Sequence, residues 1–202
     1  MADAGANRLA DKAAIVTGAA RGIGKAIVEA FAAEGAAVWC ADLHGGEAEA
    51  VAAAIRAGGG KAEGGYCDVR STDSVLDAVD AAVEAFGGLD ILVANAATLT
   101  PAATVEDLDE ADWTQALAVN LTGAFHLCKH GIPHLKRAGG GSVILTASQM
   151  ARVGNPGSAA YCTTKGGLVQ LARVMALDHA ADGIRVNTLS PGGTATDRLF
   201  SR

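Results

Sequence analysis

The chain has 202 residues, half of them hydrophobic, 19% charged and 4% aromatic, with 16 Lys plus Arg against 22 Asp plus Glu for a formal charge of -6. That is enough core-forming sequence for one globular domain, which excludes a disordered chain, and its acidic balance argues against a nucleic-acid or anionic-membrane footprint. Every apolar run is broken by Arg, Asp, Asn or Gly before the roughly 18 residues that span a bilayer, so small molecules or other proteins are the expected partners.

Residues 1–11 read as a polar N-terminal tail without the apolar stretch of a secretory signal, which gives a cytoplasmic expectation. The first strand is expected at 13–16, followed by a glycine-rich loop and a helix over 24–33. A second strand at 36–40 leads to Asp42, and a helix over 47–57 follows. A third strand ends before Asp68 and Val69, and a helix covers 72–86. Next come a strand at 91–94, a long helix at 111–136, a strand at 142–146, a helix at 160–180 and a sixth strand at 184–189. The strands are short, rich in branched residues and mostly non-alternating, as strands buried on both faces should be. Strand then helix, about six times over, predicts an α/β fold: one Rossmann-like, doubly wound domain over 1–202, with a parallel sheet and helices on both faces. Four cysteines, Cys40, Cys67, Cys128 and Cys162, show no Cys-x-x-Cys spacing and read as reduced, buried thiols.

The loop after the first strand reads Thr17-Gly18-Ala19-Ala20-Arg21-Gly22-Ile23-Gly24 and runs directly into a helix. Glycines there allow a sharp turn and let backbone N–H groups approach phosphate, while the helix N-terminus supplies partial positive charge. Asp42, with Leu43 after it, lies 18 residues beyond Gly24 at the end of the second strand. An acid at that place accepts hydrogen bonds from both adenosine-ribose hydroxyls and repels a 2′-phosphate, which predicts NAD over NADP. Arg21 pulls the other way, because it could reach a 2′-phosphate; Asp42 weighs more because it acts directly at the discriminating atom. Asp68-Val69 and Asn95-Ala96-Ala97 follow the third and fourth strands, at the carboxyl ends where such sheets bind ligands.

Tyr161 and Lys165 stand at i, i+4 on one helix and can meet, and an ammonium beside a phenol favours the phenolate, which makes Tyr161 a usable general acid/base. Ser148 follows the fifth strand and could hydrogen-bond a substrate oxygen. Asn120, in the long helix, is the kind of residue that holds a water against a backbone group and, with Lys165, could pass a proton from Tyr161 to solvent.

Taken together, Thr17-Gly18-x-x-x-Gly22-x-Gly24, Asn95-Ala96-Ala97, Asn120, Ser148 and Tyr161-x-x-x-Lys165 thirteen residues further on resemble the short-chain dehydrogenase/reductase family. The resemblance spans nearly the whole chain. It implies an NAD(P)-dependent oxidoreductase of alcohols and ketones, with Ser148, Tyr161 and Lys165 as catalytic triad and Asn120 as a fourth member. It further implies that Lys165 binds the nicotinamide ribose, that Asp68 and Val69 flank the adenine, and that Pro191, Gly192, Thr194 and Thr196 hold the nicotinamide carboxamide. A homodimer or homotetramer built on the Ala-rich helices is also implied. Two departures stand out. Ala97 replaces the usual glycine of that motif, and the family normally continues for roughly fifty residues, through a substrate lid, another helix and a seventh strand, so the sequence reads as a fragment or truncation with an exposed sixth-strand edge.

His126, His130 and His134 fall at i, i+4, i+8, a possible metal face. Pro133 interrupts the run and no acid or Cys completes a ligand set, so a helix surface or subunit interface is the preferred reading and no metal is expected. The leading expectation is an NAD-dependent oxidoreductase of a secondary alcohol or its ketone. Rivals are a non-catalytic NAD(H)-binding sensor or regulatory subunit, and an epimerase or dehydratase holding NAD tightly.

Overall fold

In the computed structural model, residues 7–196 are described. Six strands form a single parallel sheet in the order β3-β2-β1-β4-β5-β6, with β1 Ala13–Thr17, β2 Ala37–Asp42, β3 Lys61–Tyr66, β4 Ile91–Ala94, β5 Gly141–Thr146 and β6 Ile184–Leu189. The helices between them are α1 Gly22–Ala33, α2 Gly45–Ala57, α3 Thr72–Phe86, α4 Glu110–Ala116, α5 Gly123–Arg137 and α6 Ala159–Asp178. This is the doubly wound, Rossmann-like α/β architecture expected from the sequence. The chain winds outward from β1 to β3, then crosses back to β4 beside β1, so successive connections leave a crevice at the carboxyl ends of β1 and β4.

Alternation along the central strands divides the core into two layers. Ala13 and Ile15 of β1 and Leu92 and Ala94 of β4 join residues of α3, α5 and α6 on one face. Ala14 and Val16 with Ile91 and Val93 join residues of α1 and α2 on the other. Every residue of β1 and β4 is buried, which is why these segments read as continuous apolar runs. Leu9, inside the stretch expected to be a polar tail, packs against the second layer and its N–H reaches the Glu34 carbonyl at 2.9 Å; residues 1–6 of that expected tail lie outside the described residues.

Two elements differ from expectation. Lys61–Tyr66 carries Glu63, Gly64 and Gly65 in place of an apolar run, because β3 is an outer strand with half of its positions open to solvent. Its glycines serve close packing: a Cβ at Gly64 would stand 2.7 Å from the Ala48 carbonyl of α2. The long helix expected over 111–136 is instead α4 and α5 joined through a π-helical turn, Leu117–Thr122, which contains the buried Asn120. Such wider turns redirect side chains locally and recur where a site requires it. Pro133 is accommodated inside α5.

Among the described residues no helix is long and apolar enough to cross a membrane. Burial pushes the thiols of Cys40, Cys67 and Cys128 up to about 12, whereas Cys162 is half-buried, and all four cysteines are free.

Two outcomes follow from this packing. Gly64→Ala should destabilise the fold by about 1–3 kcal/mol, because the backbone of α2 has to move away from β3; urea unfolding would show a lower midpoint with an unchanged slope. A thiol-specific chromogenic reagent near pH 8 should titrate Cys162 alone in the native protein and all four cysteines in denaturant; rapid reaction of more than one native thiol would contradict the burial described above.

Candidate active site

The crevice is a cleft of about 720 Å3 running along the carboxyl ends of the strands. One end is the turn from β1 into α1. Gly18 and Gly22 adopt positive φ, +68° and +56°, which a side chain would strain. A Cβ at Gly24 would lie 1.9 Å from the Gly18 carbonyl, so the third glycine exists to let α1 close down on the loop and does not itself line the cleft. Helix α1 begins at Arg21 with no side-chain cap and no acid in its first turn, leaving N–H groups and partial positive charge facing the cleft. Arg21, Gly22 and Ile23 all line it. An uncapped helix start behind a loop that leaves no room for a Cβ at Gly18 or Gly24 fits the pyrophosphate of a dinucleotide.

Asp42 is buried at the end of β2, with Leu43 exposed beside it. Its Oδ2 accepts the Ala20 N–H and its Oδ1 the His44 N–H, each at 3.0 Å. Asp68 and Val69 line the cleft after β3, held from behind. The Arg70 guanidinium grips the Asp68 carboxylate through Nε at 2.9 Å and a terminal nitrogen at 2.7 Å, and this hydrogen-bonded pairing holds the Asp68 carboxyl below its ordinary range. The Val69 carbonyl is 2.9 Å from His126 Nδ1, and Val69 presses against Gly123, where a Cβ would come within 2.7 Å of its side chain.

Asn95, Ala96 and Ala97 also line the cleft, but the Asn95 side chain turns into the protein. Its amide donates to the carbonyls of Thr17 at 3.1 Å and Gly18 at 3.2 Å, while Thr17 Oγ1 accepts from the N–H groups of Asn95 and Ala96. The ends of β1 and β4 are thereby stitched together. Ala97 has negative φ, so the glycine usual in the family is not needed here for backbone conformation.

At the far end the cleft meets α6, β5 and β6. Ser148, nearly buried, follows β5 and accepts from the Met150 N–H at 3.2 Å. Tyr161 and Lys165 both face the cleft from α6, with the Lys165 ammonium 5.6 Å from the Tyr161 ring centre. Lys165 is 2% exposed and donates to the Thr146 carbonyl at 2.7 Å. Asn120 lies behind the lining: Oδ1 accepts the Thr98 N–H at 2.7 Å, and Nδ2 donates to the Thr98 carbonyl at 3.1 Å and to Thr164 Oγ1 at 3.3 Å. Both amide protons are thus engaged by protein, and the side chain ties the loop after β4 to α6. Pro191, Gly192, Thr194 and Thr196 run from this end, where the Gln149 N–H meets the Pro191 carbonyl at 3.0 Å, back to the glycine loop, where a Cβ at Gly22 would stand 3.6 Å from the Thr196 methyl group.

The cleft therefore gathers every expected site residue except Gly24 and Asn120, which support it from behind. It also holds residues that motif reading missed. Arg70 could have been found from the Asp-x-Arg spacing, since its own N–H donates to Asp68 Oδ1 as a short polar turn does. Thr98, Gln115 and His44 carried no comparable signal. The three histidines of α5 reach separate partners, namely the Val69 carbonyl, Thr72 Oγ1 and Arg137. Among the described residues no group of three His, Cys, Asp or Glu side chains could hold a metal ion.

Comparison with known proteins bears on this geometry. The family model described as short chain dehydrogenase matches residues 12–201. The chain is 42% identical over 190 residues to a D-threitol dehydrogenase of Mycolicibacterium smegmatis, covering 94% of this chain and 73% of that protein. It is 41% identical over 183 residues to the cis-4-hydroxycyclohexanecarboxylate dehydrogenase of Sinomonas cyclohexanicum, covering 91% and 73%. It is 42% identical over 191 residues to a 2,5-dichloro-2,5-cyclohexadiene-1,4-diol dehydrogenase of Sphingobium indicum, covering 95% and 76%. With its glycine loop, its stitched strand ends and its Tyr161-Lys165 pair in one cleft, the chain belongs to the short-chain dehydrogenase family of NAD(P)-linked oxidoreductases acting on alcohols.

Proposed function

We propose that this alcohol oxidoreductase prefers NAD, takes a polyol or alicyclic secondary alcohol as substrate, and uses Tyr161 as general base in oxidation and general acid in ketone reduction. The observation that carries the reading is one continuous cleft with Gly18, Gly22 and Asp42 at one end and Ser148, Tyr161 and Lys165 at the other. The substrate class rests on the three relatives, whose names specify a polyol, a hydroxycyclohexanecarboxylate and a cyclic diol.

The glycine loop and the start of α1 would hold the pyrophosphate, Asp42 the adenosine ribose, Asp68 and Val69 the adenine edge, and the segment 191–196 the carboxamide. NAD, when bound, supplies the acceptor carbon for the hydrogen that leaves the alcohol. The protein manages the proton and the oxygen. Ser148 Oγ already accepts from Met150, so its own O–H is the donor it offers to the substrate oxygen. The Lys165 ammonium stabilises negative charge on the Tyr161 oxygen, and its bond to the Thr146 carbonyl fixes where that charge sits. Asn120 acts through others, by setting Thr98 and Thr164, and the Thr164 hydroxyl donates to the Tyr161 carbonyl at 2.8 Å.

Preference for NAD follows from burial. Asp42 is buried and held in place by two backbone N–H groups, so its carboxylate stays fixed beside an incoming 2′-phosphate, whereas Arg21 is exposed and screened by solvent. The cofactor preference predicts a kcat/KM roughly two orders of magnitude higher with NAD than with NADP, and a higher value with NADP would overturn it. Tyr161→Phe removes the exchangeable proton and leaves the ring in place. Turnover of any alcohol that the wild type oxidises should fall by at least about 1,000-fold while NADH affinity stays within a few fold, and a fully active variant would refute the role given to Tyr161.

A further inference from the structure

We propose that Asp42, beyond selecting the ribose, is the positioning residue that sets the shape of the pyrophosphate loop, an assignment that rests on the nucleotide reading above. Its carboxylate is engaged on two sides at once. One oxygen accepts from Ala20, in the middle of the Gly18–Gly22 turn, and the other from His44, at the start of the connection to α2. Both bonds are 3.0 Å, Asp42 is 9% exposed, and Ala20 is buried as well. The parallel bond from the Ala19 N–H to the Ala41 carbonyl, at 3.2 Å, fastens the same stretch to the same strand end. The N–H groups of Ala19 and Ala20 therefore point at β2. The turn is then left to present the N–H groups that begin α1 toward the cleft, behind Gly22 at φ +56°.

Only a group with two acceptor oxygens serves this geometry. An amide has one acceptor and one donor end, so Asp42→Asn, although isosteric, sets an N–H2 against either the Ala20 or the His44 N–H. A buried donor facing another donor costs more than a missing bond. Asp42→Ser has lost the same charge but adds no opposing donor of that kind, because a hydroxyl rotates to accept. If Asp42 acted through the ribose alone, Asn, which keeps an acceptor at full reach, would be the milder change, and neither variant would affect a ligand without ribose hydroxyls.

The test measures binding of NADH and of an NADH analogue whose adenosine ribose lacks both hydroxyls, by nicotinamide fluorescence, to the full wild-type chain, Asp42→Asn and Asp42→Ser. Amide hydrogen exchange is followed in the nucleotide-free proteins. The expected result is a loss of analogue affinity of roughly tenfold in the Asn variant and a smaller loss in the Ser variant, with faster exchange confined to residues 18–24 and unchanged protection in α5 and β5. Equal analogue affinity in all three proteins, or loop exchange in the Asn variant that matches wild type, would overturn the positioning role while leaving the nucleotide reading intact. A wild type that binds neither nucleotide would overturn the nucleotide reading and this assignment together.

Discussion

The join between the ends of β1 and β4 is the constraint on which the rest of the cleft depends. At that point the sheet's connections part, one toward α1 and the other toward the loop after β4, and the last backbone groups of both strands lose their ladder partners. Thr17 Oγ1 accepts two of the orphaned N–H groups, and the Asn95 amide covers two carbonyls. Thr17 is 2% exposed, so leaving these groups unpaired would cost about 1–3 kcal/mol each. The stitch holds Gly18 so close to Ala96 that a Cβ there would come within 2.9 Å of the Ala96 backbone, which fixes where α1 starts. The shape of this end of the cleft thus arises from satisfying the sheet's own hydrogen bonds.

A second polar node fixes the chemical end. Asn120, 1% exposed, joins the π-helical turn between α4 and α5, the Thr98 backbone and the Thr164 hydroxyl of α6. Lys165, one residue further along α6, reaches back to the carbonyl of Thr146 at the end of β5. Buried polar groups of this kind are costly unless satisfied, and once satisfied they specify one arrangement. Here that arrangement brings Tyr161 and Lys165 of α6 into the same cleft as Ser148 of the loop after β5.

Strand and helix order was legible because buried parallel strands write themselves as short apolar runs, as Ile91–Ala94 does. Lys61–Tyr66 was not legible in that way, since an outer strand lacks the apolar pattern. The π-helical turn was hidden for a different reason: Leu117–Thr122 has ordinary helical composition, and the partner that favours the wider turn, Thr98, is distant in sequence. The candidate site was legible where local spacing brings residues to one place, as in the glycine loop and Tyr161-x-x-x-Lys165, which line the same cleft. It was obscure where a residue acts through distant partners. The amide of Asn95 holding the glycine loop, and that of Asn120 holding Thr98 and Thr164, depend on contacts that no local pattern encodes.

If this cleft moves hydrogen from a secondary alcohol carbon to nicotinamide, a label on that carbon must reach the ring. The decisive experiment incubates the protein with NAD and a panel of polyols and alicyclic alcohols deuterated at the carbinol carbon, then examines the recovered nicotinamide by mass spectrometry. Deuterium should appear on the reduced nicotinamide ring with at least one alcohol, in amounts equal to the ketone formed. Bound nicotinamide that stays unlabelled with every alcohol of the panel would contradict it.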